Sequence, residues 1–373
     1  MTAVQIVMAV MAVCALLGGA DRLLGNRFRL GEAFEEGFKM LGPIALSMAG
    51  IICLAPLLTA LLRPCADFLH RWLRLEPGMA GALLAIDMGG WDMATGLAAD
   101  PAAGRFAGIA AASTLGCTLS FTIPMGIGLY EGESKNSFMR GILYGLSTLP
   151  FGLLLAAVLG GIPFLRAQGL CLPAALFALL IAWALKKFPR QALRAFSGFS
   201  WLLRAVATAG LAAAAFQTMT EQELIPGMAP LNQAMETVSS IGIVLLGALP
   251  LAELLRFLLR KPLEKLGGRI GIDGDGLMCL AILYLSITPG LIEMKKLDCR
   301  AQMVCAAFSV CAASALTAHF AFAVNRAPEW AVPMLAGKLT GAVLAAALAL
   351  RAETRADRRV KKKKNAADRP SEE

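Results

Sequence analysis

Charge is scarce in this chain: only 16% of its 373 residues are Asp, Glu, Lys or Arg, against 57% that are hydrophobic. A soluble domain of this size cannot bury so much apolar surface, and a mean hydropathy of +0.66 places the sequence in a bilayer. Histidine is scarcer still, with 2 in the chain, and neither stands at metal-ligand spacing. The sequence holds no H-E-x-x-H, no G-x-S-x-G and no phosphate loop of the form G-x-x-x-x-G-K-S/T. Membrane proteolysis and ATP-driven transport therefore lack their parts, and no enzymatic activity, metal or cofactor is expected. The run Gly271-Ile272-Asp273-Gly274-Asp275-Gly276 has neither the ligand spacing nor the terminal Glu of a calcium loop, and reads as a tight turn.

No C-x-x-C pair occurs among the 9 cysteines, and Cys14, Cys53, Cys117, Cys279 and Cys311 lie in apolar runs, as small core residues in a reduced or lipidic setting do. The formal charge of +9 is concentrated in the tail from Arg355 to Lys364. A solvated cytoplasmic tail over residues 351–373, touching anionic lipid, explains it without nucleic acid. Met1 to Gln5 lack a basic signal region, so the first apolar segment is expected to stay as an uncleaved helix.

What is present is a series of apolar segments long enough to span a bilayer. They fall near 3–20, 41–62, 105–129, 138–161, 171–187, 201–219, 236–258, 300–324 and 331–350. Two more, about 78–98 and 276–294, carry a breaker near the middle. The fold class expected is all-α: a polytopic membrane protein of about 9 spanning helices and two broken, re-entrant segments, forming one transport domain over 1–350.

Sliding the chain on itself by about 194 residues lays Pro56 over Pro250, with Arg63-Pro64 and Lys261-Pro262 closing the two runs, and Arg105 and Arg300 each opening the helix after a broken segment. Halves of about 30–165 and 224–351 follow, and paired interrupted helices in such halves point to a secondary transporter's binding site. The basic stretches at Lys186–Arg194 and Arg256–Arg269 and the basic tail belong inside, and the acidic Glu221-Gln222-Glu223 outside. This places the helix at 236–258 running inward and makes 276–294 dip in and out on one side. If 78–98 does the same, the repeats are inverted and the N-terminus lies outside, although Arg63, Arg71 and Arg74 then fall on the outer side against the charge bias.

The first broken segment carries Ile86-Asp87-Met88-Gly89-Gly90-Trp91-Asp92. A charged side chain at a helix centre costs roughly 2.5–3.5 kcal/mol on insertion scales, so it faces a cavity or a partner. Asp87 reads either as a partner for a cationic substrate or as a cap on the second half-helix. Trp91 reads as a cation–π face or as an interfacial anchor, and Asp92 as a local cap or a position at the mouth. The backbone carbonyls from Met88 to Gly90, freed by the break, add possible cation ligands.

Taken in order, Gly31-Glu32-Ala33-Phe34-Glu35-Glu36-Gly37-Phe38, Leu54-Ala55-Pro56, Asp87-Met88-Gly89-Gly90, Phe121-Thr122-Ile123-Pro124, Leu224-Ile225-Pro226-Gly227, Val244-Leu245-Leu246-Gly247-Ala248 and Gly337-Lys338-Leu339 resemble the ethanolamine permease family of bacterial ethanolamine-utilisation operons. The resemblance covers nearly the whole chain. It implies an integral membrane protein that admits ethanolamine to feed an ammonia-lyase, often inside a protein-shelled microcompartment. Two departures stand out. Leu285-Ser286-Ile287-Thr288-Pro289 replaces the family's Asn-Asn pair ahead of Ile-Pro, and Ala318 replaces an Asp before His319.

Ethanolamine is a compact cation with one hydroxyl, so its site needs a carboxylate or aromatic face and a hydrogen-bonding group. Candidates besides the Asp87 to Trp91 run are Thr114, Ser120 and Thr122 ahead of Pro124, Ser286 and Thr288 on the second broken segment, Glu236 near the acidic loop, and His319. Each has a structural reading: hydroxyls glue membrane helices, Glu236 sits in headgroup water at a helix start, and His319 is a satisfied core histidine. Glu35 and Glu36, beside Phe34 and Phe38, read as part of an amphipathic surface helix. The leading function is a permease or facilitator for ethanolamine or a related small amine, working by alternating access or gated diffusion. The other is a membrane-embedded assembly or sensor protein that binds a small amine without sustained flux. The Gly-rich stretch Gly141 to Gly161 would suit internal packing or a homo-oligomer face.

Overall fold

The computed structural model describes residues 3–83, 89–270 and 272–367. Among them no strand occurs. The elements are α1 (Ala3–Leu23), α2 (Leu30–Lys39), α3 (Leu41–Leu73), α4 (Gly78–Leu83), α5 (Trp91–Leu97), α6 (Pro101–Arg105), π1 (Phe106–Gly116), π2 (Thr118–Thr122), α7 (Ile123–Leu129), α8 (Gly132–Leu159), α9 (Phe164–Lys187), α10 (Pro189–Thr220), α11 (Leu231–Ile270), α12 (Gly274–Leu285), α13 (Ile287–Met294), α14 (Cys299–Ala312), π3 (Ala315–His319), α15 (Phe320–Arg326) and α16 (Pro328–Ala367). Nine helices among the described residues are long and apolar enough to cross a membrane. They stand where the apolar runs predict them and extend further at most ends, since backbone hydrogen bonding continues past the last apolar residue. Through the basic tail α16 stays helical to Ala367, a stretch rich in Ala, Arg and Lys and without Gly or Pro.

The centre of the bundle is built on two composite spans, Pro101–Leu129 and Cys299–Arg326. Ala301 to Ala312 are all buried, as are Phe106 to Gly116. A helix apolar all round belongs inside the protein, and small residues let its neighbours approach closely. The two spans are tied where the Thr118 hydroxyl donates to the Val310 carbonyl at 2.9 Å. Around them α8 and α16 pack backbone to backbone: a Cβ on Gly152 would lie 2.6 Å from the Gly337 carbonyl. Thr148 adds a hydrogen bond from its hydroxyl to the Gly341 carbonyl at 3.0 Å.

The order of elements in 41–159 recurs in 231–367: a long Pro-containing helix, a broken pair, a π-interrupted span and a long closing helix. Matching residues do matching jobs. Asp100 caps α6 by accepting from Ala102 and Ala103 N–H groups, and Asp298 caps α14 by accepting from Ala301. Glu76 holds the start of the first broken pair through the Gly78 N–H, and Asp273 holds the second through Gly276. On α3, Gly50 leaves no room for a Cβ against the Ala207 carbonyl of α10; on α11, Gly247 does the same against the Met11 carbonyl of α1.

Candidate functional site

Each broken segment is a helical hairpin. In the first, α4 and α5 lie face to face, with Gly78 and Gly81 against Ala94. Its two ends are tied together, because the Glu76 carboxylate accepts from Ala99 N–H at 2.8 Å as well as from Gly78. Arg63 of α3 closes the C-terminal end of α5 by donating to the Gly96 carbonyl. One of the three arginines at odds with the charge bias is thus committed to a protein contact. In the second hairpin the chain turns at Ser286, and Gly290 packs against Leu283 while its carbonyl accepts from the Cys279 thiol at 3.5 Å.

Both breaks rest on the π-helical part of the span that follows. Trp91, directly after the first break, packs over Gly108 of π1 and meets Phe322 of α15 edge to face at 6.4 Å. At the second break, Ser314 Oγ accepts from Ile287 N–H at 3.0 Å, Ser314 N–H donates to the Leu283 carbonyl, and the Thr317 hydroxyl donates to the Leu285 carbonyl. Wide π turns recur at functional sites, and here two of them face the two breaks.

A cavity of about 280 Å³ opens beside the first hairpin, lined by Ile52, Ala55, Pro56 and Thr59 of α3, Asp92 and Gly96 of α5, Ala229 and Gln233. Pro56 has no N–H to offer the Ile52 carbonyl, so this turn of α3 exposes an acceptor a regular helix would satisfy. The next carbonyl, that of Cys53, is taken by Ala229 N–H at 2.8 Å. The cavity's charge is Asp92. Its carboxylate lies 3.8 Å from the Arg326 guanidinium, which also donates to the Thr237 hydroxyl at 2.7 Å. A carboxylate beside a freed acceptor, an amide and a hydroxyl suits a small cation with a hydrogen-bonding group, and the volume lies below the usual range of drug-sized pockets.

Of the candidates read from sequence, Asp87 and Met88 lie outside the described residues. Gly89 and Gly90 are buried at the break, and the N-cap position of α5 falls on Gly90, without a side-chain cap. Trp91 is half-buried in packing contacts. The Thr114 hydroxyl donates to the Ala110 carbonyl at 2.6 Å and that of Ser120 to Gly116 at 2.9 Å, both within their own helix. Thr122 is fully buried, and its hydroxyl is without a hydrogen-bond partner among the described residues. Ser286 and Thr288 are half-buried at the second break. Buried His319 has Nδ1 2.7 Å from the Ala313 carbonyl, which can only accept, so this nitrogen carries a proton. Glu236 is exposed on α11; its neighbours Gln233 and Thr237, one on either side, reach the Asp92 group.

Sequence reasoning did not count Gln233, Arg326 or Lys338 among the site residues, although Lys338 stands in one of the family motifs. Lys338 is buried on α16, and its ammonium donates to the Ser113 carbonyl of π1. A lysine inside the apolar run 331–350 was the available signal. Arg326 offered none, since a basic residue closing an apolar segment reads as an interfacial anchor.

Fold and site together define a multi-pass, all-α membrane protein with a polar cavity beside a broken helical hairpin. A family model described as "Ethanolamine utilisation protein, EutH" matches residues 4–352. The chain belongs to the EutH family. It is 34% identical over 347 residues to a protein of Listeria monocytogenes named "Probable ethanolamine permease EutH", covering 93% of each chain. To the protein of the same name in Salmonella typhimurium it is 32% identical over 93% of this chain and 92% of the other. It is also 36% identical, over 94% of its length and 95% of the relative's, to "Uncharacterized protein YxeR" of Bacillus subtilis. No solved structure matches the chain.

Proposed function

We propose that this protein is a permease for ethanolamine, admitting the protonated amino alcohol to the cell through the space beside the first broken hairpin. The observation that carries the reading is the Asp92 cavity, a carboxylate with adjacent acceptors in a family whose relatives are named as probable ethanolamine permeases. Between substrates, Arg326 supplies the cation that Asp92 needs; an arriving ammonium takes its place, so the carboxylate is never left unpaired in a partly dry site. Asp87, five residues earlier in the sequence, is a second carboxylate for the ammonium.

The two halves are inverted repeats, with both hairpins re-entrant, and one half moves against the other around the substrate. The recurring order of elements and the matching caps support this arrangement. Uptake of labelled ethanolamine into proteoliposomes tests the permease assignment. Saturable uptake is expected for the natural chain, with a raised KM for Asp92→Asn and loss of uptake for Asp87→Asn. Absence of uptake by folded protein overturns the assignment and favours a binding role without flux.

A further inference from the structure

A second cavity, of about 450 Å³, lies far along the chain from the Asp92 site, between the α1–α2 loop and α11. It is lined by Arg27, Phe28, Arg29 and Leu30 on one side and by Glu253, Leu254, Arg256 and Phe257 on the other. Glu253 is 3.8 Å from Arg256, its own neighbour on α11. Arg27 and Arg29 are exposed and take part in no ion pair among the described residues. Phe28 and Phe257 flank them, 71% and 79% exposed. Three guanidinium groups against one carboxylate, with two bare phenyl rings beside them, match an anionic head joined to an apolar body.

The loop that presents the arginines is built, not loose. Buried Asp21 holds it from within, accepting from Phe28 N–H at 3.1 Å and Gly31 N–H at 3.0 Å. Three of its residues, Gly25, Asn26 and Arg29, have positive φ. For Gly25 this costs nothing, but Arg29 at φ 63° sits where a glycine would be relaxed. Backbone strain of this kind persists where the surrounding structure fixes it. Arg256 opens the basic stretch that the positive-inside rule assigns to the cytoplasm, the side where anionic lipid is richest.

We propose that this cavity is a binding site for an anionic phospholipid, with the headgroup phosphate held by Arg27 and Arg29 and the acyl chains lying along Phe28 and Phe257. The charge of the lining selects an anion, and the exposed rings select one that carries hydrocarbon. The site is independent of the transport reading, since none of its residues lines the Asp92 cavity.

Native mass spectrometry of the purified full chain, offered phosphatidylglycerol or phosphatidylcholine of the same acyl length, tests the assignment. Retention of phosphatidylglycerol at least tenfold above phosphatidylcholine is expected, and Arg27→Gln/Arg29→Gln abolishes that preference. Arg29→Gly separates binding from folding: it removes the charge while relaxing the backbone, so the unfolding temperature holds or rises as lipid retention falls. Equal retention of the two lipids, or unchanged preference in the double variant, overturns the proposal. So does displacement of phosphatidylglycerol by inorganic phosphate at equal concentration, which would mark a site for free phosphate.

Discussion

Replacing Arg326 by Gln is expected to make the protein bind ethanolamine more tightly. Charges 3.8 Å apart attract by about 4 kcal/mol at an effective dielectric constant of about 20. The two side chains keep 21% and 28% of their exposure, so solvent screening and the entropy of holding both side chains reduce the net value to about 1 kcal/mol. An ammonium that must displace the guanidinium works against this amount, and about 1 kcal/mol corresponds to roughly a fivefold change in affinity. Initial rates of labelled ethanolamine uptake in proteoliposomes, measured across substrate concentration, should therefore show KM lowered about fivefold in Arg326→Gln. Asp92→Asn should raise KM, and adding Arg326→Gln to it should do nothing further, because the competed carboxylate is gone. A raised KM in Arg326→Gln alone would mean that the arginine positions Asp92 and does not compete for it, refuting the exchange of cations.

Three further outcomes follow from packing and hydrogen bonding. Gly152→Ala forces a methyl group against the Gly337 carbonyl and is expected to destabilise the protein by about 1–3 kcal/mol, read as a lower unfolding temperature in detergent. Asp100→Ala removes the acceptor for two N–H groups at the start of α6; a loss of about 1 kcal/mol by the same measurement, mostly restored by Asp100→Ser, separates capping from the ion pair that the Asp100 carboxylate also makes with Arg166 of α9. Thr122→Val removes a buried hydroxyl without a partner among the described residues and is expected to stabilise the substrate-free protein by about 1 kcal/mol; a lower unfolding temperature would mean that the hydroxyl is satisfied.

The spans were legible because about 20 apolar residues in a row have few other destinations, and the breaks because Gly89-Gly90 and Ser286-Ile287-Thr288-Pro289 interrupt such runs. The π-helical turns at Phe106–Gly116 and Ala315–His319 were not. A shift of hydrogen bonding from i−4 to i−5 depends on what packs against the helix, and here that is a hairpin from elsewhere in the chain. Glu236 shows the limit at single residues: the sequence marks its charge near the acidic loop, but it is Gln233 that lines the cavity and Thr237 that meets Arg326. The Asp92–Arg326 pair joins residues from opposite halves, and no local spacing announces it.

The two hairpins are alike in build but not in what their polar groups do, and this bears on where substrate chemistry resides. At the second break, Ser314 and Thr317 are occupied with backbone groups of Leu283, Leu285 and Ile287, so the polar side chains of π3 hold the hairpin in place. At the first break the anchoring contact is the apolar packing of Trp91 on Gly108 and Phe322, which leaves Asp92 and its neighbours open to a cavity. The departures from the family pattern, Leu285-Ser286 and Ala318, fall at the second break, on the framework side of this division. The polar groups at the second break pin a hairpin, while Asp92 and its neighbours at the first line a cavity. Under the permease reading proposed above, the charge that an ammonium requires is carried by Asp92 of the first hairpin, and the second hairpin supplies framework.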